Sequence, residues 1–289
     1  MTILQPAAAD RIRAVAQFVE PLEPEDLAQA TVHLNGLTKP IGSLGQLESI
    51  AAQVVAIRRG KLEVPLRKAV YVFAADHGVA HAGVSAYPPE VTAQMVLNFI
   101  NGGAAINVLA RQHGAELTVV DAGVDAEFAE SAGLRAMKVR RGSRNFLEEP
   151  AMTDPEMSAA LAIGISLAEE AHRRGVHLVA AGEMGIGNTT SASAITAMLT
   201  QRDAGEVTGK GAGLDDAGRN RKLNVIRRAL RKHFPNVQSK LPNCSHRRLL
   251  APHRCASLPP RSALRLLRHE LHARQVCLVV DRNACEQAR

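Results

Sequence analysis

The run Val176-His177-Leu178-Val179-Ala180-Ala181-Gly182-Glu183-Met184-Gly185-Ile186-Gly187-Asn188-Thr189-Thr190-Ser191-Ala192-Ser193 decides the fold. It opens as a mostly apolar strand, turns on three glycines, and continues through Ala194-Ile195-Thr196-Ala197-Met198-Leu199 as a helix. Strand, glycine loop and helix in that order make an anion site. Glycine lets backbone approach a ligand closely, and the N–H groups and positive dipole end of the helix favour a phosphate or carboxylate. Glu183 complicates this, because a carboxylate repels phosphate. The two are reconciled if the loop holds a phosphorylated sugar while Glu183 faces the reacting end.

Working back from this run, Ala69-Val70-Tyr71-Val72-Phe73-Ala74-Ala75 reads as a strand buried on both faces, as parallel strands are. It ends in Asp76-His77-Gly78-Val79, a polar loop placed where open α/β sheets bind ligands. Asp76, His77 and His81 might suggest metal ligands, but His77 and His81 sit in a turn-rich segment with no third ligand at recognisable spacing, so no metal is expected. A helix spans Glu90 to Phe99, and its first turn presents Thr92. Another spans Ala104–His113, before a strand Leu117–Asp121. The basic run Arg135, Lys138, Arg140, Arg141 and Arg144 reads as a solvated face, and Met157–Arg174 as an amphipathic helix.

Upstream, residues 10–35 read as two helices separated by Pro21 and Pro24, and Ser43 is placed to cap a helix Leu47–Ile57. Downstream, Gly209-Lys210-Gly211-Ala212-Gly213 precedes a helix Arg219–Lys232. This segment has neither P-loop spacing nor the GxGxxG of a dinucleotide site, which argues against a dehydrogenase. Strand–helix alternation over residues 69–232 predicts a Rossmann-like parallel sheet with helices on both faces.

Composition excludes several functions. Of 289 residues 46% are apolar but only 3% aromatic, with no Trp, so nucleic-acid recognition by base stacking is not expected. No unbroken apolar run reaches the roughly 18 residues of a membrane span, and a soluble cytoplasmic protein is expected. The net charge of +7 is confined to one end. Residues 1–235 carry 25 Lys+Arg and 25 Asp+Glu, whereas residues 236–289 carry 10 and 3. Cys244, Cys255, Cys277 and Cys285 all lie in that second stretch and read as free thiols.

Thr38-Lys39-Pro40-Ile41-Gly42-Ser43-Leu44-Gly45, Asp76-His77-Gly78-Val79, the Ser85–Gln94 segment and Gly182-Glu183-Met184-Gly185-Ile186-Gly187-Asn188-Thr189-Thr190, taken in order, strongly resemble the nicotinate-nucleotide:5,6-dimethylbenzimidazole phosphoribosyltransferase family. The resemblance covers about residues 1–235. It implies a Rossmann-like domain, a smaller helical lobe from both chain ends (residues 1–60 forming part of it), and a homodimer. It also implies the substrates nicotinate mononucleotide and 5,6-dimethylbenzimidazole, with no cofactor. A benzimidazole nitrogen attacks C1′ of the nucleotide, nicotinate leaves, and α-ribazole 5′-phosphate forms, as in assembly of the cobalamin lower ligand. Nicotinate joined through its ring nitrogen is already a cationic leaving group, so chemistry centres on removing the benzimidazole proton.

Carried over by position, Ser85, Tyr87, Pro88 and Gln94 would line the benzimidazole pocket. Glu183 would sit near the ribose and the incoming base as the catalytic candidate. Gly182, Met184, Gly185, Gly187, Asn188, Thr189 and Thr190 would bind the nucleotide, and Gly209, Gly211 and Lys222 would complete the phosphate site. Family members continue with a strand ending in Asp-Gly-Phe and a Gly-Glu-Gly-(Thr/Ser)-Gly-Ala segment whose Glu is regarded as the base. Neither occurs among residues 236–289. The shift in charge and cysteine content there predicts a frameshifted or disordered tail, hence a truncated chain of doubtful activity. The alternative is an inactive homologue that only binds nucleotide or dimerises.

Overall fold

The computed structural model describes residues 6–17, 21–60 and 64–234. The readings made for residues 236–289, the four cysteines included, lie outside them. In chain order the helices α1 (Pro6–Gln17), α2 (Pro24–Asn35) and α3 (Gln46–Ile57) precede strand β1 (Lys68–Ala75). A 3-10 turn (Gly78–Ala82), α4 (Val91–Ile100), α5 (Ala105–Gln112), β2 (Ala115–Gly123) and the short β3 (Leu134–Ala136) follow. Then come α6 (Asp154–Arg173), β4 (Leu178–Met184), α7 (Asn188–Thr200), α8 (Ala204–Val207) and α9 (Asp216–His233).

The four strands are all parallel and lie in the order β3-β2-β1-β4. The twofold alternation of β1 explains why it sits in the middle. Ala69 and Tyr71 point to one face, where Val120 and Ala122 of β2 meet Ile163, Leu167 and Ala171 of α6. Val72 and Ala74 point to the other, against Val119 and against Val96 and Phe99 of α4. A strand covered on both sides must be apolar on both, which is the pattern β1 carries. The expected parallel α/β sheet with helices on both faces is therefore the observed one.

Local chemistry sets the helix ends. Thr153 starts α6 with a capping box: its hydroxyl accepts from the Glu156 N–H, and Glu156 Oε2 accepts from the Thr153 N–H at 2.7 Å. Ser43, placed by its sequence position to cap α3, does not do so. Gly45 is the residue at that boundary, with φ of 56° and no side-chain cap. Helix α7 is rich in Ser, Thr and Ala, poor helix formers apart from Ala, and is held by packing instead. Its small side chains let Ala194 and Ala197 lie against Ala204, Leu223 and Ile226.

The basic run is not a simple solvated face. Arg135 pairs with Glu170, Lys138 with Asp121, Arg140 and Arg144 with Glu156, and Arg141 with Asp125 and Glu127. These pairs tie the irregular segment around β3 to the sheet and to α6. The stretch Val91–Gln112 is long and apolar enough by composition to cross a membrane. In the fold it is two separate helices of 10 and 8 residues, each shorter than a span. Helices α2 and α3 pack on one another. The expected contribution of the C-terminal end to a helical lobe falls outside the described residues.

Candidate active site at the strand switch point

From β1 the chain moves to β2 on one side and later returns to β4 on the other. The sheet order thus reverses between β1 and β4, and in open α/β sheets ligands bind beyond the carboxyl ends of the strands at such a switch point. Strand β4 is longer than the sequence pattern suggests. Gly182, Glu183 and Met184 pair with Val72, Phe73 and Ala74, so Glu183 and Met184 sit on the strand end rather than in the loop. Glu183 is half-buried there, and Met184 packs against the apolar cluster on the α4 side.

The true loop is Gly185-Ile186-Gly187, and it crosses the end of β1. A Cβ on Gly185 would stand 2.2 Å from the Ala75 carbonyl oxygen and 3.0 Å from the His77 ring, so only glycine fits. Gly187 has φ of +91°, with Ala80 and His77 3.3 Å from where a Cβ would be. Two contacts fasten this loop and the helix it starts. The Ile186 N–H donates to Thr92 Oγ1 at 3.1 Å, and Ser191 Oγ lies 3.1 Å from His77 Nδ1. Thr92, His77 and Ser191 are all buried.

At the start of α7, Asn188 and Thr190 are buried with Nδ2 and Oγ1 lacking hydrogen-bond partners. Polar atoms buried without partners are costly, and a ligand or water beside them offers the missing bonds. Beside them, Lys222 is 0% exposed on α9, and its Nζ donates to Thr189 Oγ1 at 2.7 Å and to the Gly209 carbonyl at 3.3 Å. Gly211, with φ of +64°, lies so close that a Cβ would meet Thr189 Oγ1 at 2.9 Å and Lys222 Nζ at 3.3 Å. Gly185, Gly187, Asn188, Thr189, Thr190, Gly209, Gly211 and Lys222 are thus brought together around the α7 N-terminus.

The second group is placed differently. Ser85 Oγ accepts from the Tyr87 N–H at 3.2 Å, while Tyr87, Pro88 and Gln94 are exposed. Thr92, in the first turn of α4, links this segment to the glycine loop. Between them stands Asp76. Burial pushes its carboxyl above the ordinary carboxylate range, an effect opposed by the Asp125 N–H, 2.8 Å from Oδ2, and by the Thr92 hydroxyl. The charges of Asp125 and Asp121 push it further up. Among the described residues no group of three or more His, Cys, Asp or Glu is arranged to hold a metal ion.

The sequence pattern presents Asp76 and His77 as a polar loop at a strand end and as candidate metal ligands, and does not reveal His77 as an anchor of the helix that the glycine loop starts. Their position at the end of the central strand is the available signal. Ser191 belongs to the glycine stretch but has no role legible there, because its distance from His77 depends on how β1 and β4 pair.

A doubly covered parallel sheet with a glycine loop, a helix N-terminus and a buried lysine at its switch point defines a Rossmann-like protein. Residues 19–247 match the phosphoribosyltransferase family model, and the chain belongs to that family. It is 47% identical over 232 residues to the nicotinate-nucleotide-dimethylbenzimidazole phosphoribosyltransferase of Chloroflexus aurantiacus, covering 80% of this chain and 66% of that protein. It is 50% identical over 221 residues to the protein of the same name from Geobacter sulfurreducens, covering 76% and 63%. The crystal structure of CobT from Thermus thermophilus superposes with a TM-score of 0.71 at 40% identity, covering 89% of this chain and 69% of that one. The resemblance read from the motifs is confirmed. The matched region spans just under two thirds of the length of these curated relatives.

Proposed function

We propose that the switch-point site binds nicotinate mononucleotide and that the chain transfers its phosphoribosyl group to 5,6-dimethylbenzimidazole, giving α-ribazole 5′-phosphate and nicotinate in assembly of the cobalamin lower ligand. The observation that carries this reading is the convergence of Lys222, Thr189, Gly209 and Gly211 beside the α7 N-terminus. A buried ammonium and a helix N-terminus favour the 5′-phosphate. The ribose then extends toward Glu183 at the end of β4, and the benzimidazole toward Ser85, Tyr87, Pro88 and Gln94.

Glu183 serves in this reading as the carboxylate nearest C1′, steadying the positive charge that develops on the ribose. A second reading is nucleotide binding without turnover. The reading includes a cytoplasmic homodimer that needs neither metal nor cofactor. Leu97, Val108 and Leu109 of α4 and α5, each at least 50% exposed, offer an apolar face for the partner.

The test is nicotinate release from nicotinate mononucleotide, with and without 5,6-dimethylbenzimidazole. Release that requires both compounds supports transfer. Saturable nucleotide binding with no release supports the second reading, and no binding overturns both.

A further inference from the structure

Thr92 joins the two halves of the proposed site. It is 0% exposed, on the helix that carries Gln94, and its Oγ1 accepts the Ile186 N–H at 3.1 Å across 94 residues of chain. The glycine loop and the first turn of α4 are therefore joined by a buried polar contact. Nearby, Asp76 Oδ2 accepts the Asp125 N–H at 2.8 Å and ties the end of β1 to the loop after β2.

The segment on either side of Thr92 cannot shift without moving the glycine loop. Pro88 and Pro89 accept backbone bonds from Val91 and Thr92, at 3.2 and 2.9 Å, so the Ser85–Pro88 loop is fastened to the same turn. The loop on the other side has little freedom either, because a Cβ at Gly185 would overlap the end of β1. A contact joining two such tightly fitted segments transmits displacement instead of absorbing it.

We infer that Thr92 is a positioning residue that couples the two subsites, so that an azole seated on the Ser85–Gln94 segment pre-orders the Gly185–Gly187 loop for the nucleotide. The inference rests on the proposed function, since it takes the two subsites from it. Coupling of this kind is reciprocal: the nucleotide raises azole affinity by the same factor.

The experiment measures the dissociation constant of nicotinate mononucleotide with and without saturating 5,6-dimethylindole, an isostere whose nitrogen has no lone pair for attack. In the wild-type chain the azole isostere tightens nucleotide binding about tenfold, within the usual range of coupling between sites. Thr92→Val, of similar shape but without the hydroxyl, brings the ratio to one, and Thr92→Ser restores it. A purely structural Thr92 would change both affinities and leave the ratio alone. Amide exchange in the wild-type chain gives a reading that needs no variant: 5,6-dimethylindole alone slows exchange at Ile186. A ratio of one in the wild type, a preserved ratio in Thr92→Val, or unchanged exchange at Ile186 overturns the coupling while leaving the proposed function intact. If the wild type binds no nucleotide, the proposed function itself fails.

Discussion

Lys222 Nζ stands 2.7 Å from Thr189 Oγ1, joining α9 to the first turn of α7 at a point fully closed to solvent. A buried ammonium gains little for stability, because desolvation offsets its bonds. In the proposed function its role is to hold the 5′-phosphate. Lys222→Met is therefore expected to raise the dissociation constant for nicotinate mononucleotide by about 10- to 100-fold, the worth of one charged hydrogen bond. Its thermal midpoint is expected to stay level or rise. Calorimetric titration and a melt on the same sample check both.

The glycines separate in the same way. Gly185→Ala places a Cβ 2.2 Å from the Ala75 carbonyl oxygen, and overpacking of that kind costs about 1–3 kcal/mol or more. At Gly209 an added methyl group would meet no heavy atom within 4 Å, and the backbone has no positive φ. Gly209→Ala is therefore expected to stay within about 0.5 kcal/mol of the parent. Urea unfolding of the two variants distinguishes fitted from merely flexible glycine.

Asp76 sets a pH dependence. Burial, outweighing the Asp125 N–H and the Thr92 hydroxyl, raises its folded-state pKa above the ordinary 3.8. The folded chain then holds a proton that the unfolded chain has released. The stability this contributes is full below pH 3.8 and is lost as pH rises through the raised value. Asp76→Asn keeps an acceptor for the Asp125 N–H without the charge. It is expected to remove this decline and to be the more stable form at neutral pH, as denaturant midpoints taken across pH would show.

Glu156 behaves in the opposite sense. Burial alone would raise its pKa, but hydrogen bonds from Arg144 and from the backbone and side chain of Thr153 prevail and hold it at about 2 instead of 4.5. That stability is present above pH 4.5 and lost as pH falls toward 2. Glu156→Gln is expected to cost up to about 3 kcal/mol at pH 7, at 1.36 kcal/mol per pKa unit, with a gap that closes in acid. Acid titration of unfolding in both proteins measures it.

The sheet is readable from sequence because β1 must be apolar on both faces, and only a central parallel strand demands that. The glycine loop is readable because its spacing follows a buried run and precedes a helix. The end of β4 is not, because pairing with β1 carries the strand through Gly182, Glu183 and Met184 regardless of local propensity. The anchors Thr92–Ile186 and His77–Ser191 are hidden for a related reason. Each joins residues far apart in the chain, and only the side-by-side packing of β1 and β4 brings them together.

The most direct test of the central claim is amide hydrogen exchange in the wild-type chain with and without nicotinate mononucleotide. If the switch-point site holds the nucleotide, protection rises in residues 185–191 and 209–213 and is much reduced in Lys222→Met. Protection confined to other segments, or equal protection in the variant, would contradict the account.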